Sequence, residues 1–394
     1  MQGFTLLTPA RTIFGRDSRL RAADEIAGMG QRILLLRSGS VAWADVLTAD
    51  LVARGLEVEV LQSAGEPTVE DVRRSVAKAR EMQADCIVAV GGGATIDLGK
   101  AVSGLCVSEG DVLDYLGFGA SPAPVLQDPL PFVAIPTTSG TGAEATRNAV
   151  ISLPDRQLKI SLRDPRLLPD LALVDPALTD DLPKGLTLAT GLDALTQLVE
   201  SHLCNRANPL TDALCRDTIP AAMTALRQLM EDPAPAAREA MARASYISGV
   251  ALANSGLGVV HGLAAVIGSR GGAHGAICGR LLPAALTVNR AALIATGQPA
   301  DRIDQVDAWL WAVFGTDDAP SHAGQGAEAL RGFIDHHGLA SLEDLHCGAE
   351  LWPEIAQSAL TASSTKANPV ALSDMQITDI LAQSASPRST SRNR

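Results

Sequence analysis

Four residues between positions 193 and 274 are of types that can hold a divalent cation. Asp193 and Gln197 are four positions apart, so a helix there puts both on one face. His261 sits in a stretch without charge, and His274 follows across a glycine-rich turn, Gly268-Ser269-Arg270-Gly271-Gly272. A carboxylate, an amide and two imidazoles can converge on one ion, and two histidines with a carboxylate suit Zn²⁺ or Fe²⁺. Each residue also has a bland reading. Asp193 can cap or pair on a helix, Gln197 can be polar surface, and His261 can be a satisfied core histidine. On the residues alone both readings stand. The other five histidines, His202, His322, His336, His337 and His346, read as surface or helix-end residues.

A second chemistry lies in the first half. The run Val90-Gly91-Gly92-Gly93-Ala94-Thr95-Ile96-Asp97 stands between an apolar run and a helical pattern. Glycines let a backbone approach a phosphate, and a helix start offers unpaired N–H groups with partial positive charge. Together they can hold a pyrophosphate without a lysine. The spacing is not G-x-G-x-x-G, and the turn follows a later strand than in a standard dinucleotide fold. A tight turn with no ligand is therefore an equal alternative. A second turn, Ile135-Pro136-Thr137-Thr138-Ser139-Gly140-Thr141-Gly142-Ala143-Glu144, adds hydroxyls and backbone donors at the same sheet edge, where open α/β sheets bind ligands.

The elements that must position these groups change character along the chain. Residues 32–36 (RILLL), 57–61 (EVEVL), 85–90 (DCIVAV), 132–135 (FVAI) and 171–174 (LALV) read as strands. Helical patterns at 69–82 and from the glycine turn to residue 102 alternate with them, which predicts a parallel sheet covered on both faces. Beyond Asp181 strands disappear. Helical patterns follow at 186–204, 209–230, 236–253, 257–267 and 281–296. The fold class expected is an α/β N-terminal domain with a Rossmann-like parallel sheet plus an all-α C-terminal domain. The boundaries expected are 1–182 for the nucleotide-binding domain, 183–382 for the helical metal and substrate domain, and 383–394 for a polar, disordered tail. There is no internal repeat.

Composition narrows the function classes. A chain of 394 residues with 46% hydrophobic and 19% charged residues is globular and calls for two domains. The net charge of −12 argues against nucleic acid as a partner, because phosphates need a basic surface. Six cysteines without a C-x-x-C pair read as buried reduced thiols. Residues 1–15 lack the basic-then-apolar pattern of a signal peptide, so a cytoplasmic location is expected. Residues 245–269 carry no Asp, Glu, Lys or Arg and are long enough to span a bilayer. Their Ser, Gly, Asn and His content instead points to a helix buried all round inside a helical domain, and no membrane partner is expected.

The order of the motifs resembles that of the iron-containing (group III) alcohol dehydrogenases, including their maleylacetate-reductase-like branch. The resemblance runs from about Ile13-Phe14-Gly15 to Asn368-Pro369. It is carried by GGGATIDLGKAV (91–102), IPTTSGTGAEAT (135–146), LVDPALT (173–179), ATGLDALTQLVES (189–201) and GVVHGLAAVIGSRGGAHGAICGRLLP (258–283). It implies the architecture shared with dehydroquinate synthase, an active site in the cleft between the domains, and a homodimer or higher homo-oligomer. Ser38, Gly92, Gly93, Ala94, Thr137, Thr138, Thr141, Asn148, Lys159 and Leu178 would then contact NAD or NADP. Asp193, Gln197, His261 and His274 would occupy the positions of the ligands to Fe or Zn, with His261 and His274 at the catalytic centre.

The sequence departs from the family pattern at four places. Gln197 stands where the second metal ligand is typically His. Ala265 stands where another active-site His often lies. The stretch Leu36-Arg37-Ser38-Gly39 lacks the Asp of NAD-preferring members, so Arg37 is expected to pair with a 2′-phosphate and the cofactor expectation leans to NADP. Glu66-Pro67-Thr68 replaces Asn-Pro-Thr. The reaction implied is reversible hydride transfer between nicotinamide and a small alcohol or carbonyl compound, with a metal polarising the substrate oxygen. The rivals are a metal-independent maleylacetate-type reductase, a branch acting on phosphorylated or acidic substrates for which only Arg270 and Arg280 are at hand, and a nucleotide-binding assembly protein without turnover.

Overall fold

The computed structural model describes residues 3–119, 122, 124–156, 158–316 and 322–385. The chain divides into two compact units, Thr5–Leu182 and a second from Pro183 onward that also takes in Gly3 and Phe4.

In the first unit the strands are β1 (Arg11–Phe14), β2 (Arg32–Ser38), β3 (Glu57–Ser63), β4 (Cys86–Gly91), β5 (Phe132–Pro136), β6 (Asn148–Leu153), β7 (Leu158–Arg163) and β8 (Leu171–Val174). Between them lie α1 (Ala22–Ala27), α2 (Trp43–Ala53), α3 (Val69–Glu81), α4 (Gly93–Leu105) and α5 (Val112–Tyr115). Six strands form one parallel sheet in the order β1-β8-β5-β4-β2-β3. Its inner strands are apolar without alternation because both faces are covered. Leu34, Leu36, Ile87 and Ala89 pack on one face with residues of α3 and α4, and Ile33, Leu35, Val88 and Val90 on the other with residues of α1 and α2. The register sets Arg37 against Val90 and Gly91 against Pro136, which aligns the carboxyl ends of β2, β4 and β5.

The sequence reading missed two features here. Strand β1 is only four residues, and its pairing with β8 joins positions some 160 apart, so no local pattern announces it. Strands β6 and β7 form an antiparallel hairpin, with alternate residues of β6 buried, in a segment to which the sequence reading assigned no element.

The second unit is helical: α6 (Lys184–Leu203), α7 (Pro209–Glu231), α8 (Pro235–Asn254), α9 (Val259–Gly268), α10 (His274–Ala295), α11 (Asp301–Phe314), α12 (Gln325–His336), α13 (Trp352–Thr361) and α14 (Asp374–Ser384). Two expectations are corrected. The uncharged segment 245–269 is not one helix, because α8 and α9 meet at an angle of 101°. Helix α10 begins at His274 rather than at residue 281, since burial against α6 overrides the poor helix propensity of Gly275 and Gly279. Gln383 and Ser384, expected to open a disordered tail, end α14, and residues 386–394 lie outside the described residues. By length and composition α10, and α8 with α9 if taken as one bent span, are long and apolar enough to cross a membrane. The apolar window of α10 is 78% buried inside the fold, as a core helix would be.

The two glycines of α10 set the distance to α6. A methyl on Gly275 would lie 2.4 Å from the Ala189 carbonyl oxygen, and one on Gly279 would lie 2.6 Å from Leu192 Cδ1. The first obstacle is backbone and cannot rotate away. Gly275→Ala is therefore expected to destabilise the helical unit by about 1–3 kcal/mol, more than the ~1 kcal/mol that alanine gains in a helix. Gly332→Ala, where nothing lies within 4 Å, is expected to leave stability unchanged or raise it. Urea unfolding followed by circular dichroism reads both, and an unchanged midpoint for Gly275→Ala would remove the packing constraint.

Candidate metal centre and nucleotide site

Three helices of the second unit deliver ionisable side chains to one point. Helix α6 carries Asp193 and, two turns on, Glu200; α9 carries His261; α10 carries His274 and, one turn on, Cys278. Asp193 Oδ1 lies 3.6 Å from His261 Nε2 and 3.6 Å from His274 Nε2. Cys278 Sγ lies 3.7 Å from His274 Nε2, and the donor atoms of all four residues fall within 4.8 Å of one another. Asp193 Oδ1 and His261 Nε2 are buried and have no hydrogen-bond partner. Leaving such atoms unsatisfied costs about 1–3 kcal/mol each, more if charged. A cation placed among them satisfies both, so the residues fit a bound metal.

Glu200 holds this arrangement from behind. Its carboxylate accepts from His261 Nδ1 at 2.6 Å, from the Val260 N–H at 2.7 Å and from the His261 N–H at 3.2 Å. The Val259 N–H donates to Asn368 Oδ1. Side chains distant in sequence thus cap α9, whose own N-cap, Gly258, has none. The contact to Nδ1 also fixes the ring so that Nε2 faces Asp193, the outer support that metal-binding histidines ordinarily have.

The electrostatics match a cationic occupant. Burial disfavours charge on His274, yet Cys278 and Asp193 raise its pKa to about 9. His261 is raised well above its ordinary value against the same burial, by Cys278, Asp193 and Glu200. Asp193 is lowered although burial opposes it, because His274 and His261 favour its charge.

The nucleotide turn is built in the first unit. Gly92 caps α4 and Gly93 is its first residue, so the helix start follows directly on β4. The Thr137 N–H donates to the Gly91 carbonyl at 3.0 Å, which ties the second turn to the first. A side chain at Gly93 would meet Thr141 Oγ1 at 2.5 Å, and one at Gly92 would meet Thr138 Oγ1 at 3.3 Å. Ser38 ends β2, Ala94 lies in the first turn of α4, and Leu178 lies in the turn after β8, beyond the same edge of the sheet.

Comparison with known proteins agrees over both units. Residues 9–176 match the family model described as iron-containing alcohol dehydrogenase, and residues 187–385 match that of the Fe-containing alcohol dehydrogenase family, C-terminal. The chain belongs to the iron-containing alcohol dehydrogenase family. A 4-hydroxybutyrate dehydrogenase of Cupriavidus necator is 33% identical over 290 residues, 72% of this chain and 76% of the relative. An NAD-dependent methanol dehydrogenase of Bacillus methanolicus is 32% identical over 272 residues, 66% and 69% of the two chains. The crystal structure of a 1,3-propanediol oxidoreductase superposes with a TM-score of 0.83 at 30% identity, over 97% of this chain and 100% of that one. The protein is an oxidoreductase, an alcohol dehydrogenase of this family.

Against that family pattern, several expected residues have other partners in this dehydrogenase. Arg37 is buried, and its guanidinium bonds Asp45 and the Val41 carbonyl, so it is not held out for a 2′-phosphate. Lys159 pairs with Glu66, and the Asn148 carbonyl accepts from Lys100. Gln197 is buried beside the centre, its amide nitrogen donating to Ser248 Oγ at 2.9 Å. Arg270 pairs with Glu354 and Arg280 with Asp335. Ala265 is exposed on α9. His202, read as a surface or helix-end residue, is in the last turn of α6 but fully buried, and burial lowers its pKa to about 4.

Sequence reasoning missed Cys278, Glu200 and a buried trio beneath the nucleotide turn. Cys278 was legible only as the position one turn beyond His274. In the trio, Lys100 Nζ donates to Thr146 Oγ1 at 2.7 Å, and Asp97 Oδ2 accepts from the Val150 N–H at 2.9 Å. Burial raises Asp97 and lowers Lys100, and it raises Glu144 from 4.5 to about 7. A raised folded-state pKa favours the neutral acid. The stability Glu144 contributes is therefore full below 4.5 and lost as pH rises through about 7. Glu144→Gln, neutral throughout, is expected to unfold like the wild type at pH 4.5 and at a higher temperature at pH 8.5. The gain is bounded at roughly 3–4 kcal/mol by ~1.4 kcal/mol per pKa unit. Equal melting temperatures at pH 8.5 would show that Lys100 already neutralises the charge.

Proposed function

We propose that this alcohol dehydrogenase transfers hydride reversibly between NAD and a small primary alcohol or its aldehyde, with a divalent metal held by Asp193, His261 and His274. The observation that carries the reading is the pair of orphaned buried atoms, Asp193 Oδ1 and His261 Nε2, facing each other at 3.6 Å beside His274. A metal bound there supplies Lewis acidity toward the substrate oxygen. Glu200 keeps His261 oriented toward that position. The relatives named above are dehydrogenases of 4-hydroxybutyrate, methanol and 1,3-propanediol, which supports a small hydroxy compound as substrate. Arg270 pairs with Glu354 and Arg280 with Asp335, which disfavours the branch acting on phosphorylated substrates.

The first unit binds the nucleotide in this reading. Backbone N–H groups at Gly92, Gly93 and Ala94 take the pyrophosphate, and Thr137, Thr138 and Thr141 contact it and the adjoining sugar. Ser38, Asn148, Lys159 and Leu178 line the remainder. Their role is to fix the nicotinamide in place, which lowers the barrier through orientation. NAD is preferred over NADP because Arg37 is tied to Asp45 and the Val41 carbonyl.

Elemental analysis of the purified protein is expected to find near-stoichiometric zinc or iron. Chelation should abolish NAD-dependent alcohol oxidation and metal should restore it. Asp193→Ala should lower kcat/KM by at least ~100-fold, the scale of losing a transition-state-stabilising group. Full activity in metal-free protein would move the mechanism to a maleylacetate-type reduction, with His261 and His274 as hydrogen-bond donors to the carbonyl oxygen. Separately, kcat/KM with NADH is expected to exceed that with NADPH. The reverse order would show that Arg37 leaves Asp45 when the 2′-phosphate binds.

A further inference from the structure

The cluster contains one donor that neither the reading above nor the family pattern uses. Cys278 is fully buried and lies one turn after His274, on the same face of α10. Tetrahedral ligands at metal–ligand lengths of ~2.0–2.3 Å stand about 3.3–3.8 Å apart. Three of the six separations fall in that range, 3.6 Å from Asp193 Oδ1 to each imidazole Nε2 and 3.7 Å from His274 Nε2 to Cys278 Sγ, and all six lie within 4.8 Å. The position from which the family's second histidine would ligate carries Gln197, which could ligate only through its amide oxygen, its nitrogen donating to Ser248 of α8. A neutral amide is a weak donor where the family has an imidazole, and a thiolate is a strong one. Two orphaned buried atoms, Asp193 Oδ1 and His261 Nε2, point into the space the four donors enclose.

We infer that Cys278 is the fourth metal ligand of this enzyme, so that the centre is Asp193, His261, His274 and Cys278 in place of a site completed at position 197. The inference rests on the metal-assisted reading above. As the ion enters, the thiol gives up its proton to solvent and the sulfur binds as thiolate. A sulfur donor beside two imidazoles selects thiophilic ions, zinc or cobalt, over magnesium and manganese. The substitution to Gln197 on α6 is then compensated on α10, which faces the same centre.

The test uses the full-length protein stripped of metal and refilled with Co²⁺. The expected result is a near-ultraviolet thiolate-to-cobalt charge-transfer band that is present in the wild type. It is lost in Cys278→Ser and kept in Gln197→Ala and in Cys347→Ser, a buried thiol elsewhere. Zinc affinity, by competition with a chromophoric chelator, should fall in Cys278→Ser by more than the ~10–100-fold that losing an outer supporting group costs. Cys278→Ala, checked for wild-type circular dichroism, separates ligand loss from misfolding and should show the same loss. Tight cobalt binding without the band, or unchanged zinc affinity in both Cys278 variants, overturns the inference and leaves the metal-assisted reading standing. A wild type that binds neither ion overturns both.

Discussion

The functional centre depends on how closely α6 and α10 pack. Gly275 and Gly279 present no side chain toward α6, and any Cβ at Gly275 would strike the Ala189 carbonyl. The seam brings Asp193 within 3.6 Å of His274, and its neighbour Cys278 follows one turn on. Packing between helices is close to crystalline, so a single methyl at such a seam is felt as a displacement of the whole helix. The same glycines weaken α10 as a local helix. The unit accepts that loss because the burial of α10 against α6, α9, α12 and α14 outweighs it.

The third helix is positioned by polar contacts instead. Glu200 reaches from α6 to the first N–H groups of α9 and to the Nδ1 of His261. One carboxylate therefore starts the helix, sets its position and orients the imidazole. The sharp bend between α8 and α9 has the same origin: α9 begins where Glu200 and Asn368 can satisfy its unpaired donors. What remains at the centre is a set of acceptors and imidazoles with two atoms unsatisfied. Such an arrangement is stable only with a positive charge among its members, which the raised pKa values of His261 and His274 express as a proton.

In the first unit the corresponding constraint is register. Parallel pairing of Arg37 with Val90 and of Gly91 with Pro136 brings the turns after β2, β4 and β5 to one edge. The helix α4 then starts at that edge, with Thr141 packed so close to Gly93 that a side chain there would collide with it, and Thr138 in tight contact with Gly92. Beneath the turn, the buried Lys100 and Asp97 join α4 to β6, and the buried Glu144 acts on Lys100 electrostatically.

The sequence by itself determined the fold class, the family and the identity of three residues that the structure brings together. Alternating apolar runs and helical periods encode a parallel sheet and a helical unit through local patterns of burial. The order of several glycine- and histidine-bearing motifs carries the family. Asp193, His261 and His274 could be picked out one by one as chemically apt. Only the tertiary structure decided which atoms meet. Cys278 shows this, because a cysteine in an apolar helix reads as core until the helix is docked and its sulfur lies 3.7 Å from an imidazole. Arg37 shows the converse: a free cation after strand two in sequence becomes a buried partner of Asp45 in the fold. Strand β1 and the capping of α9 by Glu200 were equally hidden, since each joins residues far apart in the chain. Periodicity reports what a segment buries, whereas the partner of a polar group is chosen by packing between segments.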